Sequence, residues 1–164
     1  MAQGDMFLKL DGTRQGAIKG ESRDSVHLDE IDVLGWSWGM EGNAVHGQTT
    51  SKTTVRELKV VKQVDRATTA LLAALRNNEV LKEAVLTVRK AGGNEPVEYY
   101  KVVMSKARIT SLQQQSSGTG GQTELMEELS IAFSKCTIEY KPQGADGSYR
   151  GGMQFEMDLY EGST

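Results

Sequence analysis

The feature that most constrains this fold is an alternation of apolar and polar side chains along much of the chain. It is clearest near the C-terminus, where apolar residues follow Gly151 and Gly152 at every second position: Met153, Phe155, Met157 and Leu159, with Gln154, Glu156 and Asp158 between them. Side chains that alternate in this way lie on opposite faces of a β-strand, one buried and one in water. This segment is therefore predicted to be a strand, with Phe155 in the core.

Further strands are predicted where β-branched and aromatic residues cluster between glycine or polar residues. Such runs occupy residues 6–10, 31–38, 55–64, 84–89 and 97–104, and a strand or a strand pair is predicted over residues 125–140. Turn residues at 92–96 join two runs into a predicted hairpin, and Phe133 shares the apolar parity of Leu129 and Ile131, which predicts a core position. About eight strands result, as in barrels and sandwiches.

Residues 68–78 break the alternation. Their apolar side chains recur at helical spacing: Ala70, Leu71, Ala74 and Leu75. Asp65 or Thr68 could cap the start of a helix, and Asn77 with Asn78 could end it. The pattern predicts one helix of about three turns, which we expect to cover an open end or flank of a barrel.

Two polar stretches are predicted to be loops. Residues 39–54 combine glycines with the sequence QTTS, and residues 113–121 are almost entirely Gln, Ser and Gly. Neither stretch can bury enough apolar area to offset the entropy lost on ordering. Either stretch could become ordered on contact with a neighbour.

Length and charge narrow the classes of function. A chain of 164 residues is predicted to be one domain, spanning residues 1–164. Its 19 basic and 22 acidic residues give a net charge of −3, so nucleic acid is not an expected partner. The N-terminus lacks the pattern of a signal peptide, no run of roughly 18 apolar residues predicts a membrane span, and a lone cysteine is typical of a cytosolic origin.

No residue pattern predicts a catalytic, cofactor or metal site. His27, His46 and Cys136 have no zinc-site spacing, and no Gly-x-Ser-x-Gly motif is present, so the histidines are predicted to be ordinary strand-edge or loop residues. Cys136 has the parity of a small buried hydrophobe. Residues 42–49 have the spacing of a phosphate-binding loop, but Gln48 stands where that motif requires lysine.

Trp36 and Trp38 are two positions apart in one predicted strand and therefore lie on the same face. Their bulk favours burial, which predicts that both belong to the core. Ser37 then lies on the opposite face of the strand. The alternative is an aromatic platform that binds a sugar or another small ligand.

A series of short segments follows one another along nearly the whole chain: residues 5–12 (DMFLKLDG), 20–22 (GES), His27, 30–39 (EIDVLGWSWG), 86–93 (LTVRKAGG), 97–99 (VEY), 140–143 (YKPQ) and 145–147 (ADG). Taken together, these segments resemble the haemolysin-coregulated protein family. Residues 13–19 depart from that family by a longer turn than expected, so the course of this loop is left open.

The resemblance implies a mainly β fold, a β-barrel of two sheets with one flanking helix, assembled in rings. It implies a hexameric ring that stacks into a hollow tube, which a contracting sheath expels through the type VI secretion system. The implied partners are other copies of the chain, sheath or baseplate proteins, a tip spike and small effectors carried in the channel. Such a protein would be made in the bacterial cytoplasm and secreted without a signal peptide, with no catalytic role.

Two site hypotheses follow from this resemblance and from the strand pattern. Ser37 is expected to line the channel, because it lies on the face opposite to the tryptophans. Residues 40–53 are expected to reach an adjacent ring or subunit: Met40, Glu41, Asn43, Val45, His46, Gln48, Thr49 and Lys52. The alternative function is a monomeric β-barrel that binds a small ligand or carbohydrate.

Overall fold

The mainly β fold predicted from the sequence is confirmed. The computed structural model describes residues 5–45, 48–90, 97–119, 122–142 and 152–159. Within these ranges the elements are β1 (Met6–Gly12), β2 (Gly16–Ile18), β3 (Ile31–Asp32), β4 (Gly35–Ser37), β5 (Met40–Val45), β6 (Gln48–Val55), β7 (Leu58–Gln63), α1 (Thr68–Arg76), β8 (Leu81–Lys90), β9 (Val97–Thr119), β10 (Gln122–Ala132), β11 (Lys135–Tyr140) and β12 (Met153–Asp158). No helix in these ranges has the length and apolarity needed to cross a membrane.

Two sheets close into a barrel through strands that belong to both. β1 pairs with β8, and β8 pairs with the first part of β9. That part of β9 also pairs with β11, whereas the later part of β9 pairs with β10. Residues 31–38 close the other side, because β3 pairs with β1 and β4 pairs with β7. The chain passes from one sheet to the other between β3 and β4. Two hydrogen bonds fix this crossing: the Val33 N–H donates to the Met6 carbonyl at 3.0 Å, and the Leu34 N–H donates to the Val61 carbonyl at 2.8 Å. We call the part around β1 and β8 the first sheet and the part around β7 and β10 the second sheet.

β9 passes from one sheet to the other without a break in the chain. Lys106 has a φ of 48° at this point, and the register against β10 shifts nearby, between Ser130 and Ile131. A positive φ within a strand turns its direction, as a β-bulge does at a barrel corner. One strand of 23 residues therefore contributes to both sheets.

The core lies between the sheets and beneath α1, and its buried members include Leu8, Leu10, Leu58, Val60, Leu86, Val102, Met104, Leu129 and Ile131. Leu71 and Ala74 of α1 are buried against it. The N-cap position of α1 is occupied by Ala67, not by Asp65 or Thr68, and no side chain caps the helix there. Those two residues shape the preceding turn, in which the Asp65 N–H donates to Thr68 Oγ1 at 3.0 Å. Asn77 ends the helix as predicted.

Within the described residues both predicted loops form strands, so those two predictions are wrong, while residues 46, 47, 120 and 121 lie outside the described residues. Residues 40–45 and 48–55 pair as the antiparallel hairpin β5–β6. Residues 113–119 continue β9 and pair with β10, for example Ser116 with Leu125. Side chains 113–116 are exposed, so the ladder forms without burying apolar area. Polar sequences can do this because each hairpin satisfies its own backbone N–H and C=O groups.

The four aromatic residues expected in the core occupy different environments. Phe133 is buried, while Trp36 and Trp38 are partly buried and pack against the core. The Trp36 ring stacks on Tyr100, with centroids 5.7 Å apart and planes inclined by 14°. Phe155 is 46% exposed, so its predicted core position is wrong. The reason is that β12 pairs only with β11 among the described strands and lies beyond the barrel wall.

Candidate functional site

A row of large apolar side chains lies open on the inner face of β11 and β12. Antiparallel partners point to the same face, and the partners here are Cys136 with Met157, Ile138 with Phe155 and Tyr140 with Met153. Cys136 is buried in the core, so the row continues the core face past the barrel edge. We call its exposed members the uncovered row: Tyr140, Met153, Phe155 and Leu159.

The uncovered row is costly for a protein that remains a monomer. Met153 is 66% exposed and Phe155 46% exposed, and each buried Å² of apolar surface would be worth roughly 25 cal/mol. Contiguous apolar patches on a soluble protein commonly mark interaction sites. β12 is also an edge strand of the sheet among the described elements, because it pairs there with β11 alone.

Ser37 lies in a polar surface on the opposite side of the second sheet. It is exposed, and the register aligns it with Lys59 of β7, which in turn aligns with Ser130 of β10 and Ser111 of β9. The adjacent inward-facing row is apolar and contains Trp36, Val60, Leu129 and Leu112. The second sheet thus has one apolar face and one hydrophilic wall that contains Ser37.

The β5–β6 hairpin holds seven of the eight residues expected to reach a neighbour. Met40, Glu41, Asn43 and Val45 lie on β5, and Gln48, Thr49 and Lys52 lie on β6. His46 lies outside the described residues. The hairpin has two strands, β5 and β6, which pair with each other. Two contacts hold its base: an ion pair between Arg56 and Glu41, and a hydrogen bond from the Arg56 N–H to the Gly39 carbonyl at 2.8 Å. A two-stranded hairpin is marginally stable in water without a surface to pack against.

Glu79 fixes the loop whose course the sequence left open. Its carboxylate accepts the Arg14 N–H at 2.9 Å, the Gln15 N–H at 3.0 Å and the Gln15 side-chain amide at 3.1 Å. Burial opposes ionisation of Glu79, but these hydrogen bonds outweigh it and hold its pKa below the ordinary range. Gly12 leaves room for the carboxylate, because a Cβ at this position would lie 2.2 Å from Glu79 Oε2.

A buried ion pair, missed by the sequence reasoning, joins α1 to the barrel. Lys62 of β7 and Glu127 of β10 are both fully buried and contact each other directly. Lys62 Nζ also lies 2.9 Å from Asp65 Oδ1, while Glu127 accepts Thr68 Oγ1 at 2.9 Å and the Gln114 amide at 2.8 Å. Burial raises the pKa of Glu127, but hydrogen bonds from Lys62, Gln114 and Thr68 outweigh it and lower that pKa. The sequence did contain a sign of this pair, because Lys62 and Glu127 each occupy a position that the alternation of their strand predicts to be buried.

Comparison with known proteins relates this chain to one family. The family described as "type VI secretion system effector, Hcp" matches residues 7–140. Protein hcp1 of Pseudomonas aeruginosa is 38% identical over 152 residues, covering 90% of each chain. The major exported protein of the same organism is 26% identical over 159 residues, covering 87% of this chain and 92% of that protein.

Solved structures agree with this assignment. One described as a type six secretion system protein has a TM-score of 0.85 and 26% identity, covering 96% of this chain and 97% of the other. Its match over almost the full length of both chains supports the two-sheet fold. The chain matches the family over residues 7–140 and protein hcp1 over 90% of its length. It therefore belongs to the Hcp family and is a tube or effector protein of the type VI secretion system.

Proposed function

We propose that this chain forms hexameric rings that stack into the hollow tube of a type VI secretion system. The tube is expelled by contraction of a surrounding sheath and carries small effectors in its channel. Its partners are other copies of itself, sheath or baseplate proteins and a tip spike. The protein is made in the bacterial cytoplasm, leaves the cell without a signal peptide and has no catalytic role.

The observation that carries this proposal is the uncovered row on β12. A closed ring needs one surface patch that binds a different patch on the next copy. The uncovered row provides an apolar patch at the end of the first sheet, where a neighbour can pack against it. The polar wall around Ser37 is suited to a water-filled channel, because it offers hydrogen-bonding groups and little apolar area.

Size in solution tests the proposed function. Negative-stain images of the purified full-length chain should contain rings, and light scattering should give about six times the mass of 17.9 kDa. A particle that remains monomeric at all concentrations would refute the ring. A monomer whose tryptophan fluorescence changes on adding a sugar or small ligand would instead favour the carrier alternative.

Replacing Ser37 by arginine should change cargo binding without unfolding the chain. Ser37 is exposed on the polar wall, so the longer side chain extends into the proposed channel instead of the core. We expect at least about a tenfold change in the Kd of a small effector for assembled rings, equivalent to about 1.4 kcal/mol. The control is Thr69→Arg on the exposed side of α1. Equal affinities for all three proteins would argue against a channel position for Ser37.

Shortening the β5–β6 hairpin should separate stacked rings. A variant in which Asn-Gly joins Gly42 to Thr53 keeps the pairs of Met40 with Val55 and Glu41 with Thr54 and removes the distal part. Because the hairpin pairs with no third strand in the described chain, the thermal midpoint should move by less than about 3 °C. Electron microscopy should find single rings where the full chain forms stacks, and stacks of normal length would contradict this role.

A further inference from the structure

Residues 20–30, here called the strap, cross the outer face of the first sheet between β2 and β3. The strap is closed on itself by the Gly20 N–H to the Asp29 carbonyl at 2.7 Å and the Ser22 N–H to the Glu30 carbonyl at 3.0 Å. Gly20 permits this approach, because a Cβ there would lie 2.6 Å from the Glu30 carbonyl oxygen. The strap has no strand of its own, so its position depends on what it contacts beneath.

His27 is the centre of that contact. It is 7% exposed, and its ring stacks on Phe7, with centroids 4.4 Å apart and planes inclined by 11°. Phe7 lies on the face of β1 opposite to the core residue Leu8, so the strap covers an apolar side chain outside the barrel. The sequence predicted an ordinary histidine, and the structure places it in a buried polar cluster.

Both ring nitrogens of His27 face carboxylates. Nδ1 lies 2.9 Å from Glu30 Oε2 on the strap, and Nε2 lies 2.5 Å from Glu98 Oε1 on β9. Ionised carboxylates only accept hydrogen bonds, whereas neutral imidazole carries a single N–H. With both carboxylates ionised, hydrogen bonds to the two of them need a proton on each ring nitrogen, which is the imidazolium.

Further charged groups lie around the same cluster. Arg89 of β8 pairs with Asp24 at 2.8 Å and lies 3.8 Å from Asp5, and its guanidinium is 4.9 Å from the centre of the Phe7 ring. Asp5 and Asp24 thus face Arg89, while Glu30 and Glu98 face His27. The net charge of these groups is −3 with neutral His27 and −2 with the imidazolium.

We propose that His27 is a proton-dependent clamp that holds the strap to the first sheet. As the imidazolium, with a proton on each ring nitrogen, His27 bridges Glu30 and Glu98. Without it, one ring nitrogen presents a lone pair to a carboxylate and the strap loosens, so the strap is most stable at lower pH and is released as pH rises. Val26 and Leu28 flank His27 and are 70% and 63% exposed. The clamp therefore also fixes two apolar side chains at the surface, and it does not depend on ring formation.

The clamp is tested by NMR on the His46→Gln variant, in which His27 is the only histidine. At about pH 6, the ¹⁵N shifts should identify protons on both ring nitrogens. Between about pH 6 and about pH 9, amide exchange in the strap, normalised to the intrinsic rate, should accelerate at least about tenfold. The amides that pair β1 with β8 should keep their protection from exchange.

Two further variants distinguish a proton-dependent clamp from a structural role alone. In the His27→Gln variant, the amides of the strap should exchange rapidly at both pH values. In the Glu98→Gln variant, which keeps the histidine, these amides should exchange at an intermediate rate that depends less on pH. A neutral ring at the lower pH, or strap exchange that does not change with pH, would overturn the proposal. Sedimentation of the same samples reports ring formation separately, so a chain that stays monomeric can still have the clamp.

Discussion

Phe155→Glu should convert assemblies of this chain into monomers while the barrel stays folded. Phe155 is already 46% exposed in the single chain, so the carboxylate is tolerated there. If a neighbouring copy covers the uncovered row, the same carboxylate becomes buried without a partner. We expect a cost of about 4 kcal/mol for each contact, which is about a thousandfold in the association constant. Sedimentation velocity measures the mass, and circular dichroism measures the fold.

The matched control is Gln154→Glu. Gln154 is the preceding residue of β12 and lies on the opposite face, so the variant adds the same charge to the same strand without entering the uncovered row. Its assembly should remain within about threefold of the unmodified chain. Assembly that persists in Phe155→Glu, or that is lost equally in both variants, would show that the uncovered row is not the ring contact.

Glu127→Gln should lower the free energy of unfolding by about 3 kcal/mol, or the thermal midpoint by about 10 °C. The substitution keeps the volume of the side chain but removes the charge that neutralises fully buried Lys62. Asp65 remains 2.9 Å from Lys62 and compensates in part. Denaturant unfolding of the two proteins measures the difference.

The control for this prediction is Glu128→Gln, at the next position of β10, where the side chain is exposed. Its stability should change by less than about 0.5 kcal/mol. The double variant Lys62→Met with Glu127→Leu should recover most of the loss, because an apolar pair leaves no buried charge. Equal stabilities for Glu127→Gln and Glu128→Gln would mean that the ion pair contributes nothing.

The pH dependence of stability gives a second measure of Glu127. Its pKa is lowered in the folded chain, so its contribution is complete above the unfolded pKa and is lost as pH falls through the folded pKa. From about pH 5 downward, the unmodified chain should therefore lose stability faster than Glu127→Gln. Parallel acid limbs for the two proteins would contradict this assignment.

Local pattern was enough to predict most of the strands and the helix. The alternation around Met153 and the helical spacing of Leu71 both gave the correct element, because side-chain direction repeats over a few residues whatever the rest of the chain does. The hairpin of β8 and β9 followed from its turn residues in the same way. The polar hairpins were missed, because a backbone ladder needs no apolar signature.

The candidate site depended on contacts that no local pattern contains. The alternation places Phe155 on the apolar face of its strand. That nothing in the described chain covers this side chain follows only from the position of β12 at the edge of the first sheet. Lys62 meets Glu127 and His27 meets Glu98 across separations of 65 and 71 residues. The sequence by itself determined which elements form and which face of each is apolar, since those depend on neighbours along the chain. The tertiary structure alone decided what lies against each face, because that depends on which distant strands pair and where the barrel closes.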